Sequence, residues 1–247
     1  MGKIFGVLMF LMMSLNASDV YATFNVKAKN SADLGFSGSG IIKDIRVDIG
    51  DSVSKNQVLA VLESEDIDSN IQTAKTNIEN AKITLKFAKR DYERYSKVKD
   101  LVDAYTLDKY KKAYESAQSA LNQAQSSSNL QTAVKNKTVL KAPFDGVITD
   151  KLLELGDVVN SAGNKSIFKI QSASDVKLIL QFDEKYWEVV KVGQKFIYRL
   201  DGSASKREGR ISKIYPSANP KNHKMTAEVQ TNGVMVGLFG DGKIIIK

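Results

Sequence analysis

From Ile71 onward apolar residues recur every seven positions: Ile71, Ile78, Leu85 and Tyr92 hold one place, and Ala74, Ala81, Ala88 and Tyr95 follow three residues later. Spacings of three and four put both sets on one helix face, the a/d seam of a helix that pairs with another. A second run repeats the pattern, with Leu107, Tyr114 and Leu121 in one set and Tyr110, Ala117 and Ala124 in the other. Glycine and proline are missing between Asp51 and Ala142, so nothing interrupts regular structure there. The pattern predicts two α-helices within residues 65–137, each about 45 Å long at 1.5 Å per residue. They face one another as a hairpin across a short turn at residues 102–106. The seam's alanines allow close approach, and its large side chains are too few for a bundle core, so the hairpin is expected to stand in solvent. The serines at positions 126, 127 and 128 read as a weak point in the second helix.

The flanks of this segment repeat each other. Residues 40–53 and 146–159 align at a constant offset of 106, with six of fourteen pairs identical. Each copy reads as a strand, a polar turn and a return strand. Gly40 and Gly146 open the units as turn-permitting glycines, and Gly50-Asp51 and Gly156-Asp157 make a second tight turn. Two such units pair into a flattened β-sandwich with a quasi-twofold axis, split by the helices into halves at residues 34–64 and 138–170. From residue 174 to 247 the period changes to two. Val176, Leu178, Leu180 and Phe182 alternate with polar residues, as do Phe196, Tyr198 and Leu200, and glycines separate the runs; this predicts a small β-barrel.

At the start, Lys3 precedes an uncharged apolar run at residues 4–13, followed by small residues. Ten residues of helix reach about half of a hydrocarbon core roughly 30 Å thick, so the run reads as a secretory signal and not as a membrane span. Cleavage after Ala17, Ser18 or Ala22 fits, giving a signal peptide at residues 1–18 whose end lies between 17 and 22. The chain has no cysteine, which removes disulfides, thiolate metal sites and a cysteine nucleophile. A net charge of +8 is spread among alternating lysines and carboxylates, which fits anionic lipid or acidic proteins better than nucleic acid. His223, the single histidine, lies in a loop without partners for a metal. Four of six methionines fall in the leader, and Met225 and Met235 are expected to pack in the barrel. No catalytic, cofactor-binding or metal-binding constellation is legible.

The segments Gly38 to Leu62 and Ala142-Pro143-Phe144-Asp145-Gly146 to Val159 resemble the two half-motifs of biotinyl/lipoyl domains as found in membrane fusion proteins, the periplasmic adaptors of tripartite efflux pumps of the resistance-nodulation-division type. Val192-Gly193-Gln194, Gly209-Arg210-Ile211, Ile214-Tyr215-Pro216 and Val236-Gly237-Leu238 resemble the barrel of the same family. Asn56 departs from the family's Gly-Gln-x-Leu signature, of which Gln57-Val58-Leu59 remains. The resemblance implies a non-enzymatic adaptor without cofactors, located in the periplasm against the inner membrane. It would bridge an inner-membrane efflux transporter and an outer-membrane channel for export of drugs or other small toxic compounds, in ring-like assemblies with further copies of itself. It also implies that the hairpin tip meets the channel through Arg94, with Val98 and Thr106 in place of the family's Leu and Ser. The further membrane-proximal domain of longer members is expected to be absent or truncated. Two rivals stand beside this reading. An adaptor for an ABC exporter or type I secretion system shares the architecture and would be favoured by an uncleaved N-terminal anchor. A biotin or lipoate carrier is opposed because the helices replace the turn that presents the carrier lysine.

Overall fold

The computed structural model describes residues 19–160 and 166–246, so the leader-like run at residues 4–13 lies outside the described residues. Two compact units divide the chain, one from residues 31–171 and one from the residues on either side.

The first unit holds eight short strands: β2 (Ser31–Leu34), β3 (Gly40–Ile45), β4 (Ser52–Val53), β5 (Val58–Leu62), β6 (Val139–Lys141), β7 (Gly146–Lys151), β8 (Val158–Val159) and β9 (Phe168–Gln171). They form two four-stranded sheets in the orders β2-β9-β7-β4 and β6-β5-β3-β8. Each sheet takes strands from both halves, so neither half closes a core alone. The repeat is visible in the hydrogen bonds. Gly50 N donates to Ile148 O and Gly156 N to Ile42 O, each at 2.9 Å, while Ile148 N and Ile42 N return bonds to Asp51 O and Asp157 O. Each tight turn therefore locks onto the first strand of the other half. The carboxylates act alike too: Asp51 Oδ2 accepts from Asp48 N at 2.7 Å and Asp157 Oδ2 from Glu154 N at 2.8 Å.

Three details differ from the sequence reading or sharpen it. Gly50 and Gly156 have φ of +93° and +86°, as a tight turn requires. Gly146, read as a turn glycine, does a different job: a Cβ there would lie 2.4 Å from the Gln171 carbonyl oxygen, so its role is close approach of β7 to β9. Asn56, where the family signature has glycine, has φ +68°. Asparagine is among the few residues that tolerate this left-handed conformation, so the departure keeps the turn.

The second unit is a closed antiparallel barrel of six strands in the order β1-β10-β13-β12-β11-β14. These are β1 (Val20–Ala28), β10 (Asp175–Asp183), β11 (Lys195–Leu200), β12 (Arg207–Ile214), β13 (Lys224–Asn232) and β14 (Phe239–Ile244). The expectation from sequence is a barrel at residues 174–247 alone, yet β1, which precedes the sandwich unit in sequence, pairs with both β10 and β14. Its alternation of buried Val20, Ala22, Phe24, Val26 and Ala28 is the inner face of the wall. The core packs Phe24 edge-on against Phe196 and Tyr198, at centroid distances of 5.9 and 5.3 Å. Gly240 and Gly242 on the inner face of β14 make room for these rings: a Cβ at either would sit within 2.7 Å of the Phe24 or Phe196 ring. On the wall, burial works against charge on Glu228. Its hydrogen bonds from Lys177 Nζ (3.0 Å) and the Tyr215 hydroxyl (2.8 Å) nevertheless hold the carboxyl below its usual range.

Met225 packs against the barrel core, but Met235 does not. It follows Gly233, with φ +67°, in the β13–β14 loop, and its side chain is turned to solvent.

Candidate functional site

Between β5 and β6 the chain leaves the sandwich as α1 (Glu65–Ser96) and returns as α2 (Ala104–Asn136). At 1.5 Å per residue each helix is about 50 Å long. The contacts between them pair early positions of α1 with late positions of α2. Lys135 Nζ bonds the Asp68 carboxylate near the sandwich, while Tyr92 stacks on Tyr114 and Tyr95 on Tyr110 near the turn. The pair is thus antiparallel, and α2 runs without a break through the three serines.

Each end of the pair has its own chemistry. At the base, Glu65, Asp66 and Asp68 occupy the first turn of α1, where the helix dipole favours negative charge. The Lys135 ammonium holds the Asp68 carboxyl below its usual range, and Lys43 on β3 does the same for Glu65. Near the turn, the Tyr95 and Tyr110 rings lie 4.0 Å apart with planes at 11°. The Tyr95 phenol beside it pushes the Tyr110 phenol up from its usual value.

Along the seam, Ile71, Ile78, Leu85 and Tyr92 are half-buried, as are Ala81, Ala88 and Tyr95, and Ala74 is buried. Across from them Leu107, Tyr110, Tyr114, Leu121 and Ala124 are half-buried and Ala117 is buried. Ile83 and Phe87 fall on the back of α1 and are exposed, with the Arg90 guanidinium 4.9 Å from the Phe87 ring centre. Leu85→Asp is therefore expected to lower helix-pair stability by about 2–4 kcal/mol, from lost apolar burial and a charge drawn into the seam. Lys82→Asp removes only an exposed 2.8 Å contact to Glu79 and is expected to cost about 1 kcal/mol or less. Thermal melts of helical circular dichroism separate the two; equal losses would mean that the seam carries no special weight.

The turn lies earlier than residues 102–106. It comprises residues 97–103, with a 3-10 turn at Lys99–Leu101, and α2 starts at Ala104 because Asp103 caps it. Asp103 Oδ1 accepts from Thr106 N at 2.8 Å and Oδ2 from the Thr106 hydroxyl at 2.7 Å. These bonds hold the Asp103 carboxyl below its usual range. They also place Thr106 inside the first turn of α2 with its hydroxyl proton already donated. Arg94 lies on the back of α1, 3.6 Å from Asp91 and with its guanidinium 5.3 Å from the Tyr95 ring centre. Val98 is 41% exposed at the turn. Arg94 and Val98 thus stand on the surface at or beside the turn, whereas Thr106 serves the cap.

Sequence reasoning missed the largest exposed side chains at the turn and at the start of α2. Leu101 and Tyr105 are 85% and 80% exposed, more than any other large apolar side chain among the described residues. Both sit outside the heptad pattern, and that irregularity was the available signal: an apolar residue in a turn has no seam to enter.

Elsewhere His223 is exposed in the β12–β13 loop, with φ +55° and Nδ1 2.9 Å from Glu184 Oε1. Among the described residues no group of three or more His, Asp or Glu side chains is arranged to hold a metal ion. None of the described helices is long and apolar enough to cross a membrane.

A split sandwich interrupted by a long helical pair is matched by the profile of the CzcB-like, barrel-sandwich hybrid domain family over residues 36–172. The chain belongs to this membrane fusion protein family. Among curated relatives, the cobalt-zinc-cadmium resistance protein CzcB of Cupriavidus metallidurans is 31% identical over 181 residues, covering 71% of this chain and 34% of the relative. The macrolide export protein MacA of Escherichia coli O157:H7 is 28% identical over 225 residues, covering 82% of this chain and 60% of MacA. The chain thus spans about a third of the first relative's length and three fifths of the second's. The crystal structure of MacA from Actinobacillus actinomycetemcomitans superposes with a TM-score of 0.75 at 21% identity, covering 92% of this chain and 78% of that one. That likeness extends the shared fold from the family domain to the barrel.

Proposed function

We propose that this membrane fusion protein is the periplasmic adaptor of a tripartite efflux system, joining an inner-membrane transporter to an outer-membrane channel. One observation carries the reading: the joint between the two sandwich halves, where a carrier would present a lysine, is a pair of helices about 50 Å long. A single residue for a cofactor needs no such reach, whereas a partner at a distance does. The chain acts by binding and turns nothing over. The helix pair works as a coiled coil along the seam from Ile71 to Leu121, and several copies form a ring.

The tip is the channel contact. Arg94 and Val98 keep the roles given by resemblance, and Leu101 and Tyr105 supply the apolar area. Thr106 contributes through the Asp103 cap that sets the turn. Export follows from a leader in residues 1–18, and cleavage after Ala17 or Ser18 suits the barrel better than cleavage after Ala22. The later cut would delete Val20 and Ala22, which are fully buried in the wall. The cargo is a small toxic compound. The names of the relatives point to two classes, divalent metal cations and macrolides, which susceptibility of a deletion strain to each would separate.

The direct test places a photo-crosslinking amino acid at Leu101 in living cells. The expected product joins this chain to an outer-membrane channel protein. Crosslinks confined to copies of itself, or to proteins of the inner membrane, would overturn the assignment of the tip.

A further inference from the structure

The end of the barrel at which β1 begins also holds the end of β10 and the start of β11, since Val20 and Phe196 both pair with Ile244. The chain crosses this end between β10 and β11. Within the crossing Val190 is buried in the barrel core, while the residues around it turn outward: Trp187 is 62% exposed, Val189 45% and Val192 61%. Three apolar side chains within six residues facing water form a patch that the barrel does not need for its own stability.

This patch is held in shape. Trp187 N donates to Glu184 O at 2.9 Å and Val190 N to Tyr186 O at 3.0 Å. The Gln194 amide accepts from Lys191 N at 2.8 Å and donates to Val189 O at 2.9 Å, and Arg210 Nη1 donates to Gly193 O at 3.1 Å. Bonds from three sides thus fix the loop with its apolar side chains outward. Between β10 and β11 it carries Lys185 and Lys191 beside Glu184 and Glu188. Lys195 at the start of β11 pairs with Glu208, so the loop itself is balanced and attraction to an anionic surface comes from the chain's net charge of +8.

The described chain also begins here, at Asp19. Residues 14–18 separate it from the uncharged apolar run at residues 4–13, and five residues reach about 17 Å at most. Whenever that run is in a bilayer, this face of the barrel is within reach of the lipid headgroups. An exposed tryptophan with valines around it suits that boundary: the indole sits at headgroup level, and the chain's net charge of +8 attracts anionic lipid.

We propose that this end of the barrel seats on an anionic lipid surface, with Trp187 among the headgroups and Val189 and Val192 toward the acyl boundary. The inference rests on the reading of the chain as an exported adaptor, since only then does this face meet a membrane. It gives the barrel a contact that persists after any leader is removed.

Trp187 is the only tryptophan of the chain, so its emission reports this face alone. Protein purified as the cells export it is mixed with protein-free vesicles of phosphatidylglycerol and phosphatidylethanolamine carrying brominated acyl chains, or with phosphatidylcholine vesicles. The expected result is a blue shift and bromine quenching with the anionic vesicles, weakened by salt and far smaller with phosphatidylcholine. The double variant Val189→Asp, Val192→Asp is expected to keep its emission in buffer and to partition at least about tenfold more weakly. Unchanged Trp187 emission at lipid concentrations where the chain sediments with vesicles would overturn the proposal. So would equal partitioning of the double variant, or equal response to both lipids. A shift seen only with native inner-membrane vesicles would assign the face to a protein partner instead. Because the assay needs no transporter, its failure leaves crosslinking at Leu101 as an independent measure of the adaptor reading.

Discussion

Replacing Leu101 and Tyr105 together with aspartate is expected to abolish export while leaving the protein folded. Both side chains are almost fully exposed and contribute nothing to the seam, so helical circular dichroism and melting should match the parent. Burial of two such side chains in a partner contributes on the order of 1.5–3 kcal/mol each. Their loss, with two charges introduced where water is excluded, weakens binding by about a hundredfold or more. In the ring proposed above, avidity would restore part of this, so a binding measurement on isolated components is the stricter test. Arg94→Asp is expected to have a smaller effect, since Arg94 already spends part of its charge on Asp91 at 3.6 Å. Wild-type export by the double variant would remove the tip from the binding surface.

Gly240→Val is expected to destabilise the barrel by about 3 kcal/mol or more, at the upper end of overpacking costs. A Cβ there would lie 2.2 Å from the Arg199 carbonyl oxygen and 2.6 Å from the Phe24 ring. Neither neighbour can yield easily, because the carbonyl belongs to the β11–β14 ladder and Phe24 packs edge-on against both Phe196 and Tyr198. Against a total stability of about 5–15 kcal/mol, that is a large fraction. Urea unfolding followed by near-ultraviolet circular dichroism reads it, since the Phe24, Phe196 and Tyr198 rings pack together in the barrel core. Lys243→Val on the exposed face of the same strand is the control and is expected to stay within about 0.5 kcal/mol of the parent. Equal midpoints for the two variants would show that β14 tolerates side chains on its inner face.

The two expectations differ in how far they could have been read from the residues alone. Gly240 and Gly242 look like loop glycines in a list of letters, and only the approach of Phe24 and Phe196 turns them into requirements of the core. Leu101 and Tyr105 look like two more apolar residues near a helix start. Only the fold shows that nothing among the described residues covers them. Thr106 is the converse case. By position it resembled a free hydroxyl at the tip, but Asp103 begins α2 two residues earlier than the threonine and takes its proton.

Periodicity and repetition are local properties, and they carried most of the architecture. A seven-residue period needs no partner to be seen, and it marked Ile71, Ile78, Leu85 and Tyr92 as one face before any second helix was known. The 106-residue offset between Gly50-Asp51 and Gly156-Asp157 marked two equivalent turns, because the same φ and the same carboxylate bond demand the same residues. What the residues could not state is which surfaces meet. The alternation of Val20, Ala22, Phe24 and Val26 marks a strand, but its neighbours β10 and β14 lie some 150 and 220 positions away. Pairing over such separations is decided by closure of the whole wall and not by any local preference. Exposure follows the same logic. Met225 and Met235 are chemically identical and ten residues apart, yet one is covered by the barrel and the other by water, because burial belongs to the neighbours that the fold supplies and not to the residue itself.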